Sequence, residues 1–323
     1  MATNFSRKRM LPMEAELGYY RAYSAAFPNK NPSNNGPDGT FPNNLGQIVF
    51  SVLIFLICIF GLLGNGTIIW FLGFCIARNP FTTYILNLAA ADFEILICLV
   101  TFLAVGCFNE GTFVPSVLFP IALEIFLLIY SVSQLLVMAV SIEGCTSAFY
   151  PVWHQCHRPP QWSTVVCAVI WVFSFLLDAI VLVLHTEFYP QMYYQFIVSV
   201  LLCTPGMIIS TLSLFTKVCL KSRQQQQWKV LTAIFLILLF SLFFDLPLNA
   251  FYITYFPVAH AYRMELRLFC ASLNSSIKPV IYFQVGKQKV DLSRESIKVI
   301  LQRVFTEDEG CKEELELPVQ AQL

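Results

Sequence analysis

Long apolar stretches alternate with short polar connections along most of this chain. Seven of these stretches reach the roughly 20 residues that a helix needs to cross the ~30 Å hydrocarbon core of a bilayer. They are numbered span 1 to span 7 and cover residues 48–77, 81–107, 113–142, 162–186, 190–216, 230–256 and 264–285. The pattern predicts an all-α membrane protein, built as a bundle of seven transmembrane helices.

The segments outside the spans differ from them in composition. Residues 1–47 are rich in Pro, Asn and Gly, which predicts a disordered N-terminal segment ahead of the bundle at 48–285. Residues 286–306 alternate apolar and basic side chains at helical spacing, as expected of an amphipathic helix on the inner leaflet. Residues 307–323 form an acidic tail, in which Cys311 is either a plain exposed thiol or a site of acylation.

The distribution of basic residues between the turns predicts how the bundle is oriented. The turns after spans 2, 4 and 6 contain only Arg263, whereas those after spans 1, 3 and 5 contain Arg78, Arg158, Lys217, Lys221, Arg223 and Lys229. Because cytoplasmic loops are richer in Lys and Arg, we expect an extracellular N-terminus and a cytoplasmic C-terminus. Asn4 then starts an extracellular N-x-S sequon and is a candidate for glycosylation.

Composition and charge narrow the choice of function. Charged residues make up only 12% of the chain, whereas soluble domains carry about 25%. The 20 basic residues are balanced by 20 acidic ones, which argues against nucleic acid as a partner. The eleven cysteines show no CxxC pair and no disulfide-module spacing. Neither a disulfide nor a metal or other cofactor is therefore expected.

Short motifs fall in order on different spans. Span 1 contains GNGTIIW with Asn65, span 2 contains LNLAAADF with Asp92, span 4 contains Trp171, span 6 contains FDLPLN, and span 7 ends in KPVIYF with Pro279 and Tyr282. Together they resemble rhodopsin-like G-protein-coupled receptors, and RNPFTTYILNLAAADF and YPVWHQCHRPPQWS look like the Mas-related subfamily. The resemblance implies a plasma-membrane receptor whose outer cavity binds a ligand and whose inner face activates a heterotrimeric G protein.

The inner end of span 3 departs from this pattern. Mas-related receptors usually have Glu-Arg-Cys here, whereas this chain has Glu143, Gly144 and Cys145. In the family, the arginine pairs with its acidic neighbour in the inactive state and reaches into the G protein in the active state. Glycine offers no donor and costs a helix roughly 0.8–1.0 kcal/mol relative to alanine. Either coupling is weakened or absent, or it survives through loop contacts.

A lysine, Lys278, stands in the middle of span 7, where an ammonium costs roughly 2.5–3.5 kcal/mol on insertion scales. The resemblance places it at one of four positions of a sodium site, and the other three match Asp92, Ser133 and Asn274. Two buried opposite charges in contact offset much of each other's desolvation. We therefore expect Lys278 to be a built-in counter-ion for Asp92 that makes sodium redundant.

A second acidic residue, Asp245 in span 6, is an alternative partner for Lys278, alone or in a three-way cluster with Asp92. Either arrangement links spans that move apart on activation in this class, and is expected to bias the bundle toward its inactive state. A simpler interpretation is that the pair only offsets the cost of a drifted residue. The expected polar network of the core comprises Asn65, Asp92, Ser133, Asp245, Asn274, Lys278, Pro279 and Tyr282.

The outer halves of spans 3 and 4 carry two acidic residues, Glu124 and Asp178. Acids that face the interior of a membrane bundle are functional candidates, and an acidic outer cavity favours a cationic ligand such as a basic peptide or an amine. Aromatic faces suit such a ligand. The aromatic candidates in this region are Tyr130, Phe251, Tyr252 and Tyr255.

Other functional classes fit the chain less well. A receptor-shaped partner, chaperone or decoy that does not couple is favoured by Gly144 and Lys278, whereas Glu143 and the basic third inner loop favour coupling. A retinal-binding pigment would need its lysine two turns further out, near Ser272. The sequence does not show the repeats typical of transporters. It also shows no nucleophile paired with a base, so we do not expect the protein to be an enzyme.

Overall fold

The structure is a computed structural model that describes residues 43–107, 113–159, 161–184, 198–220, 228–254, 261–287 and 297–305. Within these residues the chain forms α-helices and two short π-helical segments, without a strand. The helices are α1 (Asn43–Trp70), α2 (Pro80–Cys107), α3 (Phe113–Phe149), α4 (Pro151–Cys156), α5 (Trp162–Leu184), α6 (Thr204–Leu220), α7 (Trp228–Thr254), α8 (Ala261–Gly286) and α9 (Ile297–Phe305). The predicted all-α class is confirmed.

Six helical stretches among the described residues are long and apolar enough to cross a membrane. They are Ile48–Cys75, Pro80–Val105, Ile121–Phe149, Trp162–Ile180, Leu201–Val218 and Trp228–Asp245, and they correspond to spans 1 to 6. Helix α8 occupies the place of span 7 and is less apolar because it carries Arg263, Glu265, Arg267 and Lys278. It packs against α1, α2 and α7 and so belongs to the bundle.

Helix α3 lies at the centre of the bundle, where it packs against α2, α5, α6 and α7. It continues to Phe149, past the end at residue 142 that the sequence predicts. The short helix α4 follows after Tyr150 and begins with Pro151, a residue whose fixed φ suits the first helical position. The C-terminal end of α3 therefore leads directly into a second ordered segment.

The outward faces of the bundle are apolar. Exposed hydrophobic side chains are concentrated on α1 and α5, as Leu63 and Val169 illustrate. A face of this kind suits contact with lipid, because a membrane helix satisfies its backbone hydrogen bonds internally and needs no water around it. Polar residues such as Asp92, Asp245 and Lys278 are instead buried inside.

Helix α9 packs against α8 through part of its amphipathic surface. Its buried apolar residues are Leu301, Val304 and Phe305. Gly286 permits the close approach of the two helices, since a Cβ there would lie 2.5 Å from the carbonyl oxygen of Ile300. The side-chain amide of Asn79, just before α2, donates a hydrogen bond to the carbonyl of Phe305. The bundle therefore covers much of the apolar face of this predicted helix.

Several sequence predictions lie outside the described residues. They concern the predicted disorder of residues 1–42, glycosylation of Asn4, the aromatic residue Tyr255, and the acidic tail with Cys311. Within the described part, α1 begins at Asn43, ahead of the predicted start at residue 48.

Candidate functional site

The ammonium of Lys278 lies in a buried polar cluster in the middle of the bundle. Its Nζ donates to Oδ1 of Asp92 at 2.8 Å and to Oγ of Ser133 at 3.3 Å. Ser133 in turn donates to the same Asp92 oxygen at 3.2 Å. The Lys278 residue is only 1% exposed and Asp92 is fully buried. Three side chains from α8, α2 and α3 thus share one closed triangle of contacts.

The two opposite charges in the triangle balance each other, but one polar atom lacks a hydrogen-bond partner. Oδ2 of Asp92 has no hydrogen-bond partner among the described residues. The attraction between the two charges is strong in the interior, whereas removal of either partner leaves an uncompensated buried charge, which typically costs about 3–5 kcal/mol. Loss of the pair is therefore expected to change how α8 packs against α2 and α3.

Asp245, on α7, has a different set of partners. The hydroxyl of Tyr130 donates to its Oδ1 at 2.5 Å, and the amide of Gln134 donates from Nε2 to its Oδ2 at 3.0 Å. None of the ion pairs among the described residues involves Asp245. Lys278 therefore pairs with Asp92, while neutral donors of α3 hold Asp245. Gln134 was not predicted from the sequence, because an uncharged polar residue within an apolar helix gives little signal.

The two asparagines of the expected core network make contacts with other helices. Asn65 Nδ2 donates to the carbonyls of Gly61 and Ser275, each at 3.0 Å, and the second bond ties α1 to α8. Asn274 Oδ1 accepts a hydrogen bond from Ser241 of α7 at 3.2 Å. Among the described contacts, Asn274 thus joins α8 to α7 and does not contact the Lys278 cluster.

The last two members of the expected network lie further toward the C-terminal end of α8. Pro279 is inside the helix and packs against Gly64 of α1, where a Cβ would lie 3.0 Å from the Pro279 Cβ. The ring of Tyr282 is buried and packs edge-on against Phe305 of α9, with the ring centroids 5.4 Å apart. Tyr282 therefore connects the bundle to α9.

The motif residues of spans 2 and 4 also meet in space. Trp171 of α5 donates from Nε1 to Oδ1 of Asn87 on α2, at 3.2 Å. Indole N–H groups usually find such a partner when their rings pack inside a protein.

Comparison with known proteins decides the family of this chain. No protein-family model matches it. It is 35% identical over 266 residues to Mas-related G-protein coupled receptor member H of Rattus norvegicus, covering 78% of this chain and 82% of that protein. The chain belongs to the Mas-related family of G-protein-coupled receptors. It is also 31% identical to the proto-oncogene Mas of Rattus norvegicus, over 264 residues that cover 77% and 81% of the two chains.

A third relative is Mas-related G-protein coupled receptor member D of Macaca fascicularis, which is 31% identical over 281 residues, or 81% of this chain and 86% of that protein. These relatives are receptors rather than enzymes. Family membership and the apolar helices together identify this chain as a multi-pass receptor of the plasma membrane.

The C-terminal end of α3 in this Mas-related receptor carries a second buried ionic cluster. Glu143 Oε1 lies 2.7 Å from Nε2 of His154 and 2.6 Å from Nε of Arg158. Both partners come from the connection between α3 and α5. In the sequence, Arg158 contributes only to the predicted orientation of the bundle. The cluster itself was not predicted, because helical periodicity does not determine the path of a turn.

Gly144 and Cys145 face other helices. A Cβ at residue 144 would lie 3.2 Å from Cδ1 of Ile234 on α7 and 3.7 Å from Cδ1 of Leu214 on α6. Cys145 Sγ lies 3.8 Å from the carbonyl oxygen of Ser210 on α6. The missing side chain at residue 144 thus allows α7 to approach α3 closely, at the position where the family usually has an arginine.

The proposed ligand-binding residues are only partly placed. Tyr130 contacts Asp245 and so belongs to the polar core. Glu124 on α3 and Asp178 on α5 are both half-buried. Phe251 and Tyr252 lie in the last turns of α7, and the structure describes their backbone but not their side-chain surroundings.

The cysteines whose side chains the structure describes are free thiols. They are Cys58, Cys75, Cys98, Cys145, Cys156, Cys167, Cys203 and Cys270.

Proposed function

We propose that this Mas-related receptor couples to a heterotrimeric G protein and that the Lys278–Asp92 ion pair biases it toward its inactive arrangement. The observation that carries the proposal is the 2.8 Å contact between Lys278 Nζ and Asp92 Oδ1. This contact joins α8 to α2, and Ser133 extends it to α3. A contact made in only one of two arrangements shifts the population toward that arrangement.

An extracellular ligand would release this bias. The acidic residues Glu124 and Asp178, half-buried on α3 and α5, support a cationic ligand such as a basic peptide or an amine. The concentration of basic residues in the turns after spans 1, 3 and 5 supports an extracellular N-terminus and a cytoplasmic C-terminus. The ligand would then enter from the side of the bundle where α8 begins.

The test is ligand-free G-protein activation in cells, comparing the native receptor with Lys278→Asn at matched surface expression. We expect Lys278→Asn to raise the basal signal, because the variant loses the contact that joins α8 to α2. Lys287→Asn is a matched control, since Lys287 is an exposed residue directly after the same helix. Its basal signal is expected to stay at the native level.

A second variant separates signalling from folding. Lys278→Asn alone leaves the Asp92 carboxylate buried without its counter-charge, which lowers stability. The double variant Asp92→Asn/Lys278→Asn removes both charges and is expected to reach the cell surface better than Lys278→Asn while keeping the raised signal. If both variants reach the surface and signal no more than the native receptor, the proposed bias is wrong.

A second candidate function is a receptor-like partner or decoy that does not couple. The observation that favours it is the close approach of Ile234 to Gly144, where the family usually has an arginine. This candidate predicts silence in every G-protein class despite normal surface expression, for the native receptor and for Lys278→Asn alike. Gly144→Arg would then show whether the missing arginine is the reason.

A further inference from the structure

The carboxylate of Glu143 is held by side chains that come from outside α3. Its Oε1 forms an ion pair with Nε of Arg158 at 2.6 Å and contacts Nε2 of His154 at 2.7 Å. The side chains are almost fully shielded from solvent, with exposed fractions of 6% for Glu143 and 3% for Arg158. A charge pair at this depth is only weakly screened by salt, so it differs from an ordinary surface ion pair.

The connection that carries Arg158 is itself anchored. The ring of His154 stacks on Phe81 of α2, with centroids 5.8 Å apart and planes 25° from parallel. Beyond Arg158, the backbone N–H of Trp162 donates to the carbonyl of Pro159 at 3.2 Å, at the start of α5. The guanidinium is therefore positioned by ordered structure on both sides.

The restraint on Glu143 is separate from the surface around Gly144. A side chain at residue 144 would point toward Ile234 and Leu214, on α7 and α6. The Glu143 side chain instead points toward the segment that leads from α3 to α5, where Arg158 meets it. In the family, the acid at this position pairs with the arginine that follows it on the helix. Here Glu143 pairs instead with Arg158, fifteen residues further along the chain.

We propose that Arg158 is a positioning residue for coupling: it supplies the guanidinium that residue 144 lacks and restrains Glu143, and with it the inner end of α3, in the resting receptor. His154 assists by contacting the same carboxylate oxygen. This inference rests on the proposed coupling to a G protein. Release of the Glu143–Arg158 pair would be part of activation, because it frees α3 from the connection to α5.

Ligand-free G-protein activation at matched surface expression tests the restraint. Arg158→Gln and Glu143→Gln are each expected to raise the basal signal by roughly fivefold or more, the lower end of typical coupling between sites. The double variant should not exceed the larger single effect, because both changes break one contact. Arg158→Lys keeps the charge and should signal closer to the native receptor. Arg78→Gln, which removes an exposed arginine from a neighbouring turn, should match the native receptor.

A charge-reversed pair keeps the test decisive if a single variant does not reach the surface. Glu143→Arg/Arg158→Glu restores an opposite-charge pair and should return expression and basal signal toward native levels. A reversed pair that signals as strongly as Arg158→Gln would overturn the proposal. So would an Arg158→Gln variant that has a lower thermal unfolding midpoint but a native basal signal, because the pair would then be purely structural.

The result for Lys278→Asn distinguishes this inference from the proposed function. If Lys278→Asn raises the basal signal and Arg158→Gln does not, the receptor couples but Arg158 does not restrain it. If both variants stay silent at normal surface expression, coupling itself is absent and this inference fails with it.

Discussion

At the scale of single residues, the main feature is that the two buried acids have different kinds of partner. Asp92 faces the ammonium of Lys278 at 2.8 Å, whereas Asp245 accepts hydrogen bonds from the neutral groups of Tyr130 and Gln134. A carboxylate and an ammonium in contact depend on each other's charge. A carboxylate among neutral donors does not depend on a charged neighbour in that way, so the two acids should respond differently to neutralisation.

Replacement of each acid by asparagine makes this difference measurable. Asp92→Asn leaves Lys278 buried without a counter-charge and should lower the free energy of unfolding by about 3–5 kcal/mol. In Asp245→Asn, the remaining carbonyl oxygen still accepts a hydrogen bond from Tyr130. Oε1 of Gln134 has no partner among the described residues, so rotation of the Gln134 amide would let it accept a hydrogen bond from the new asparagine. We expect that change to cost about 1 kcal/mol. Thermal unfolding of the two purified variants compares them, and equal losses would contradict the assigned pairing.

At the scale of helices, α1 and α8 approach closely through small residues. A Cβ on Gly61 would lie 2.1 Å from Oγ of Ser276 and 2.7 Å from Cδ1 of Leu96. Asn65, one turn further along α1, hydrogen-bonds the carbonyl of Ser275. Small residues at such crossings allow backbones to approach and pack in a membrane, where burial of apolar surface from water contributes little. The position of α8, and therefore of Lys278, depends on this contact.

Two glycines of α1 provide a matched pair of variants for this crossing. Gly61→Ala would force Ser276 and Leu96 to move. It should lower the free energy of unfolding by about 1–3 kcal/mol, as is typical of an overpacked core, and the thermal unfolding midpoint should fall with it. Gly66→Ala meets only Cε2 of Phe93 at 3.6 Å, an ordinary contact distance. It should be neutral or slightly stabilising, because alanine favours a helix over glycine. Similar effects of the two changes would show that the crossing is not tightly packed at Gly61.

At the scale of the whole molecule, the two buried ion pairs act on the same central helix at different depths. Lys278 and Asp92 join α8 and α2 to Ser133 in the middle of α3. Arg158 forms an ion pair with Glu143 near the C-terminal end of α3. Because α3 packs against α2, α5, α6 and α7, both pairs involve the helix that has neighbours throughout the bundle.

The sequence predicts the outline of this bundle well, because long apolar stretches carry a strong signal for membrane helices. An isolated lysine in such a stretch also requires an acidic partner, and the sequence offers Asp92 and Asp245. The choice between them depends on how the helices are rotated against each other, which periodicity does not determine. The partners of Glu143 were not predictable for a similar reason, since they depend on the fold of the turn that contains His154 and Arg158.

The measurement that tests the central claim most directly is the distance between the turn before α2 and the start of α7 in the ligand-free receptor. Spin labels at Ala77 and Trp228, both exposed, would report it by pulsed electron resonance. They would be attached through keto-bearing residues, because the chain has eleven cysteines. We predict one short-distance population for the native receptor and an added longer one for Lys278→Asn. Identical distributions would contradict the claim that the Lys278–Asp92 pair holds the bundle in its inactive arrangement.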